Sequence, residues 1–260
     1  GSVDLGGALG QDGVSAWRLL ALSSDTESRT DHVKRKRQLL APSVTLPLGE
    51  NGEIVLMGSV QRDRGGSDYM WLPAYGTLFD NPNGKIPLSR FIGEPQFDRY
   101  DRDQDMAGWA AVYDINDNWT ITPQLIAQKQ KAYGSAGIDP NPGSADAGYD
   151  SSTGEMAVKH FYPESSDDRW HQAAMTVEGR IGNFDLTYVF SNMKRDVDSE
   201  SDYSDYGFWY DTLAGYGAYF YDDNGDYINP AQYIQAVDGY KRTSHELRVA
   251  SPQDRRFRMV

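Results

Sequence analysis

Four carboxylates crowd one short stretch of the chain: Asp98, Asp101, Asp103 and Asp105. Paired acids can flank a sugar-cleaving cleft. Their place at the entrance to an extended segment reads instead as a solvated strand end or a lumen wall. A second acidic group, Asp222-Asp-Asn224-Gly225-Asp226, faintly resembles a calcium loop. The closing Glu that such a loop needs is missing, so a hairpin tip is the expectation. His32, His160, His171 and His245 show no ligand spacing. With 0 cysteines, thiolate catalysis, disulfides and Cys-type metal sites are excluded. No nucleophile elbow, P-loop or dinucleotide fingerprint occurs. The expectation is a non-enzyme with no cofactor and no metal-ligating residues.

The elements that hold these residues read as strands. The clearest is Asp117 to Gln128. Trp119, Ile121, Pro123, Leu125 and Ala127 share one face; Thr120, Thr122, Gln124 and Gln128 share the other, and Ile126 breaks the rule. Period two with one oily and one wet face is the mark of a β-strand. Further strands are expected at Val3–Leu9, Val14–Thr26, Lys34–Leu48, Glu53–Arg62, Asp103–Asp114, Asp167–Arg180, Phe184–Asp196 and Tyr240–Ser251. The tail from Arg255 to Val260 reads as a strand cut off part-way, which makes about ten strands and suggests a piece of a longer chain. Asn51-Gly52 is a hairpin signal.

Connections alternate in length. Turns of about four residues join strands at one end. Long loops rich in Gly, Pro, Tyr and Asp fill 63–102, 131–166 and 197–238 at the other. Loops this long are usually functional. A transmembrane β-barrel has reason to keep all of them at one end, with short periplasmic turns at the other. Lipid then takes the oily face and a wet lumen the polar one, with Trp119, Phe184 and Tyr188 near strand ends as candidates for an aromatic girdle. A mean hydropathy of −0.64 fits strands that bury only one face, and a net charge of −13 argues against nucleic acid. The alternative fold is a soluble β-sandwich with decorated loops.

Several segments carry a family resemblance. The first long loop holds Asp68-Tyr69-Met-Trp71-Leu-Pro73-Ala-Tyr-Gly76-Thr77, then Asn81-Pro-Asn-Gly84, then Gly93-Glu-Pro95-Gln-Phe97-Asp98-Arg-Tyr100-Asp-Arg102. Asn116-Asp-Asn-Trp-Thr and Ser244-His-Glu246-Leu-Arg248-Val-Ala-Ser251 follow in order. Together these resemble the barrel of TonB-dependent outer-membrane receptors, in their ferric-siderophore (ferrichrome-type) branch. The resemblance covers most of residues 14 to 260 and lacks the plug domain, the TonB box and the C-terminal barrel strands.

The resemblance implies an all-β antiparallel meander forming part of a larger transmembrane barrel in the Gram-negative outer membrane. It implies energy-coupled uptake of a ferric siderophore, with outer-membrane lipid and the TonB complex (through the missing plug) as partners. Tyr69 and Trp71 match aromatics that touch the siderophore, and Tyr133 matches more loosely. Flat amphipathic rings suit such a ligand, giving contact area at low entropic cost. A siderophore brings the iron's ligands with it, which agrees with the lack of metal spacing. The acidic, tyrosine-rich loop from Tyr203 to Tyr227 reads as a solvated surface, with a ligand lid or protein contact as the alternative. A second functional reading, from another class, is a secreted soluble β-rich glycan-binding protein or glycoside hydrolase using Trp71 and the Asp cluster.

Overall fold

The computed structural model describes residues 1–66, 72, 74–82, 84–91, 98–134, 149–150, 155–156, 162–204, 221–226, 228, 232–252 and 259. Nine strands form one antiparallel sheet in meander order: β1 (Ser2–Ala8), β2 (Ala16–Glu27), β3 (Lys34–Pro47), β4 (Gly52–Gly65), β5 (Tyr100–Asn116), β6 (Trp119–Gly134), β9 (Ser165–Ile181), β10 (Phe184–Asp202) and β11 (Tyr233–Ala250). Between β6 and β9, β7 (Tyr149–Asp150) and β8 (Glu155–Met156) pair as a separate two-stranded piece. Among the described residues β1 and β11 each keep one unpaired edge. The expected final strand, 255–260, falls almost wholly outside the described residues.

The ladder explains why these strands pair in this register. Along β6 the odd-numbered side chains continue across neighbours as rows, and one row runs Leu56, Trp109, Leu125, Ala173. A one-residue slip would swap the oily and wet faces, so the pattern itself pins the register. Ile126, the exception to the alternation, points with the polar set. It sits opposite Gly108, where an added Cβ would meet its side chain at 3.1 Å. The missing side chain makes the room.

Turn chemistry sets the short ends. Gly182-Asn183 closes β9 to β10 with Gly182 at φ 61. At β5–β6, one extra residue between Asp114 and Asn116 forms a bulge, and the Asn116 side chain accepts the Asn118 amide at 2.9 Å. The turn after β3 differs from the Asn-Gly expectation. The left-handed residue is Gly49 at φ 70, while Gly52 opens β4. Glycine is needed at 52 because the Tyr113 ring and backbone lie over it.

The oily face is not covered by protein. Leu40, Leu56, Leu125 and Leu247 are 48%, 44%, 37% and 63% exposed. Among the described residues only Val33, Phe91 and Ala111 are buried hydrophobic side chains. A water-soluble sandwich would have to bury this face. A barrel wall leaves it to lipid, closed rows of backbone hydrogen bonds satisfying the strand within. On β6 the apolar run from Trp119 to Ala127 spans about 26 Å along the strand, or roughly 20 Å of membrane depth at a tilt near 40°. Trp17, Tyr113, Trp119 and Phe184 mark its turn-side border on the same face.

The strands run further than the oily pattern. They reach 19 residues in β10, against about 9–11 for a membrane crossing. The long loops therefore start later than expected: β4 continues to Gly65, β5 begins at Tyr100, β6 runs to Gly134, and β11 begins at Tyr233. Above the apolar belt the outward rows turn ionic, as in Asp103, Lys131, Asp167. Opposite charges across strands keep the ladder in register there.

Candidate functional site

All three long loops leave the sheet at the same end as the six-residue link 28–33. The first loop is anchored to that link. The Asp31 amide donates to the Ser89 carbonyl at 2.7 Å, and the Ser89 hydroxyl donates to the Asp31 carboxylate at 3.2 Å. His32, held at φ 65, sets its ring edge-on to Phe91 at 5.9 Å. Val33 and Phe91 are both buried. Nearer the middle of the loop, Ile86 donates its amide to Gly76 at 2.8 Å, and Gly76 takes φ 92. The loop thus leaves from a fixed base, which is the rigid support a binding loop needs.

The second and third loops are joined at their roots. The Asp202 amide donates to Glu164 at 3.0 Å, the Tyr162 amide donates to Asp202 at 3.1 Å, and the Tyr162 and Tyr233 rings lie 5.1 Å apart. Ser204, fully buried, donates to the Asp202 carboxylate at 2.6 Å.

Just below the loops the inward face carries a charged cluster. Asp63 accepts from Arg37 Nε at 2.8 Å, from Gln61 at 2.9 Å and from Arg102 Nη2 at 2.6 Å. It is nearly buried at 7% exposure. Arg37, Asp63 and Arg102 are direct cross-strand neighbours on β3, β4 and β5. Further round the sheet Asp168 takes a two-pronged grip from Arg195, at 2.9 and 2.6 Å. Between them Gln104 donates to Gln128 at 3.1 Å. Asp63 and Asp168 thus each have a cation, as an interior wall requires.

The sequence-derived candidates are placed unevenly. Tyr69 and Trp71 lie outside the described residues. Tyr133 is described, near the loop end of β6 and 42% exposed. It pairs with Asp101 and Ser165 on the row that faces outward, away from Asp63. Asp101, Asp103 and Asp105 also face outward, where arginines neutralise them. Arg64 meets Asp103 at 2.5 Å, Arg62 meets Asp105 at 2.7 Å, and Arg99 meets Asp101 at 3.6 Å. This is a cross-strand ion ladder, not a pair of acids across a cleft. Asp222 turns its carboxylate onto its own backbone, accepting from Asn224 at 2.9 Å and Asp226 at 2.8 Å. Those amides hold its carboxyl below the usual carboxylate range and close a tight turn over 222–226. His245 accepts or donates at Tyr188 Oη, 2.7 Å away, on the oily face.

The Arg37–Asp63–Arg102 group was missed at the level of sequence. Its only signal was the basic run Lys34-Arg35-Lys36-Arg37, which gives no clue to its carboxylate partner in the next strand.

No family model matches the chain. A ferrioxamine B receptor from Salmonella typhimurium (strain SL1344) is 30% identical over 122 residues, covering 47% of this chain and 17% of that receptor. The ferrichrome outer membrane transporter and phage receptor of Escherichia coli (strain K12) is 26% identical over 128 residues, covering 49% of this chain and 17% of the transporter. Among solved structures, BauA, the ferric preacinetobactin receptor from Acinetobacter baumannii, superposes with a TM-score of 0.54 at 12% identity, over 97% of this chain and 43% of BauA. The chain thus spans well under half the length of the receptors it matches. At 12% identity the structural likeness speaks for the fold alone. Over the part it covers, the chain is homologous to the barrel of the TonB-dependent siderophore receptors of the Gram-negative outer membrane.

Proposed function

We propose that this chain is an arc of an outer-membrane barrel whose whole protein imports a ferric siderophore. The observation that carries the reading is the division of the sheet. One face is an uncovered apolar belt, the other a polar wall of paired charges, and every long loop leaves from the same end. The similarity to ferrioxamine and ferrichrome receptors supports a ferric siderophore as the cargo.

In this reading the remaining strands and a lumen-filling plug complete the barrel. An inner-membrane energy complex of the TonB type pulls on that plug to open the path. Tyr69 and Trp71 supply flat ring surface to the chelate from the first loop, whose base is fixed on the 28–33 link. Tyr133 stands at the rim on the outward row, away from the polar wall, and its contribution is the smaller one. Chemistry on the iron is not required of the chain, because the chelate carries the metal's ligands. The reading is tested by growth of an iron-starved strain on defined ferric chelates, with and without the gene. Growth on at least one chelate should depend on the gene, and Trp71→Ala should slow uptake more than Tyr133→Ala. Gene-independent growth on every ferric chelate tried would overturn the importer reading.

A further inference from the structure

The basic run that opens β3 is not uniform. Lys34 and Lys36 point outward, to Glu27 at 2.6 Å and Asp25 at 3.4 Å. Arg37 points inward, to Asp63 at 2.8 Å. Arg35, also inward, has no carboxylate opposite it. Its cross-strand neighbours are Thr26 on β2 and Gly65 on β4. Among the described residues its guanidinium makes no ion pair and no hydrogen bond. The stem of Arg35 packs over Gly65, whose backbone allows no larger residue: a Cβ there would meet the Lys34 carbonyl at 2.8 Å and Arg35 Cγ at 3.1 Å.

Beside this pair is a cavity of about 410 Å³ at the loop end of the inward wall, with Thr26, Arg35, Arg37, Asp63, Gly65 and Tyr100 in its lining. Arg102 adjoins it through Asp63. Three guanidiniums thus face one carboxylate, which leaves two positive charges. Asp101 stands on the outward row and accepts the Gly65 amide at 3.2 Å. In a chain with a formal net charge of −13, this is a local reversal of sign. A positive recess with low-dielectric walls draws anions and holds them more strongly than an open surface does. Arg35 offers an unpaired planar fork suited to carboxylate or catecholate oxygens. Tyr100, 52% exposed, adds a ring face and a hydroxyl.

We propose that this recess is a selectivity site for a negatively charged ferric chelate, with Arg35 as its direct contact and Asp63 as the residue that positions Arg37 and Arg102. The inference rests on the import reading above and narrows its cargo to anionic chelates.

The test uses cells expressing the whole receptor and measures radio-iron uptake from two probes, an anionic ferric tris-catecholate and a neutral ferric tris-hydroxamate. Wild-type receptor should favour the anionic probe. Arg35→Gln should raise its half-saturation concentration about tenfold or more, the scale of one lost charge-assisted hydrogen bond. Arg35→Lys should recover part of that loss. Lys34→Gln, which removes an outward charge from the same run, should change nothing. Added salt should weaken uptake of the anionic probe in wild type and much less in Arg35→Gln. An unchanged half-saturation concentration in Arg35→Gln overturns the proposal, as does an equal loss for both probes, which would mark Arg35 as a barrel or plug contact. Entry of neither probe through wild-type receptor overturns the import reading and this inference with it.

Discussion

The turn-side and loop-side halves of the same strands make opposite use of one backbone. On β6 the outward residues Ile121, Pro123 and Leu125 carry no charge, whereas Lys129 and Lys131 two rungs further up sit among Asp105, Asp103, Arg169 and Asp167. The lower half is stable only where its surroundings are oil, since protein covers almost none of it. The upper half is stable where water and salt reach it, since its side chains answer one another. A single strand can therefore cross a membrane and stand well clear of it, lifting the loops on a stiff stalk. The inward face shows no such break: Gln61, Gln104 and Gln128 continue smoothly into the Arg37–Asp63–Arg102 cluster.

The contrast breaks most sharply with a charge placed in the belt. Leu125→Arg should cost about 2–4 kcal/mol, as arginine does near the bilayer midplane. The same arginine at Tyr133 should cost less than about 0.5 kcal/mol, a surface value. Equilibrium unfolding of the intact receptor in lipid vesicles measures both, and equal costs would erase the distinction between the halves. A packing test comes next. The Trp119 ring lies where a side chain at Gly179 would go, so Gly179→Val should cost about 1–3 kcal/mol. Trp119→Ala in the same chain should return most of it, a coupling seen in a double-mutant cycle.

In the loop-side half, Arg62→Ala removes the ladder to Asp103 and Asp105. Exposed pairs of this kind are worth at most about 1 kcal/mol. The loss should fade further in high salt, which the belt substitution should not. The smallest effect is expected at the turn before β2. Ser15 and the Val14 amide hold the Asp12 carboxyl below its usual value. A depressed folded value means that its contribution is full at neutral pH and is lost as the pH falls through the carboxylate range. Amide exchange at Val14 and Ser15 should quicken in acid, and Asp12→Asn should remove most of that pH dependence.

The same contrast explains what could be read from the chain. The belt half was legible because Trp119 to Ala127 alternates, and alternation has one cause. The loop-side half was not. Val197 to Asp202 looks like loop because charged and polar residues fill both faces, and Tyr233 to Asp238 because oily and polar residues mix on both, yet they pair across β10 and β11 residue for residue. What holds them is a partner strand some 35 residues away, as between Glu200 and Gln235, which hydrogen-bond at 2.6 Å. Gly52 was read as a turn residue because Asn-Gly is a turn signal; Tyr113, far along the chain, is what requires it. Arg35 stood in plain view as part of a basic start to a strand. Its inward direction, and its lack of a carboxylate beside three paired neighbours, follow only from the register. Asp103 and Asp105 were visible too, but their arginines on β4, Arg62 and Arg64, were not linked to them by any local pattern.

The central claim is that the outward face of this sheet meets lipid from Trp119 to Ala127 and water above Lys129. Single cysteines can be introduced along β6 of the intact protein, any cysteines outside these 260 residues first being replaced, and spin-labelled in outer membranes. Labels at 121, 123 and 125 should be relaxed by oxygen and shielded from a polar nickel complex. Labels at 124 and 128 should lack the oxygen effect, and those at 129 and 131 should respond to nickel. Loss of the odd–even alternation below 128, or nickel access at 123 and 125 equal to that at 131, would contradict the account.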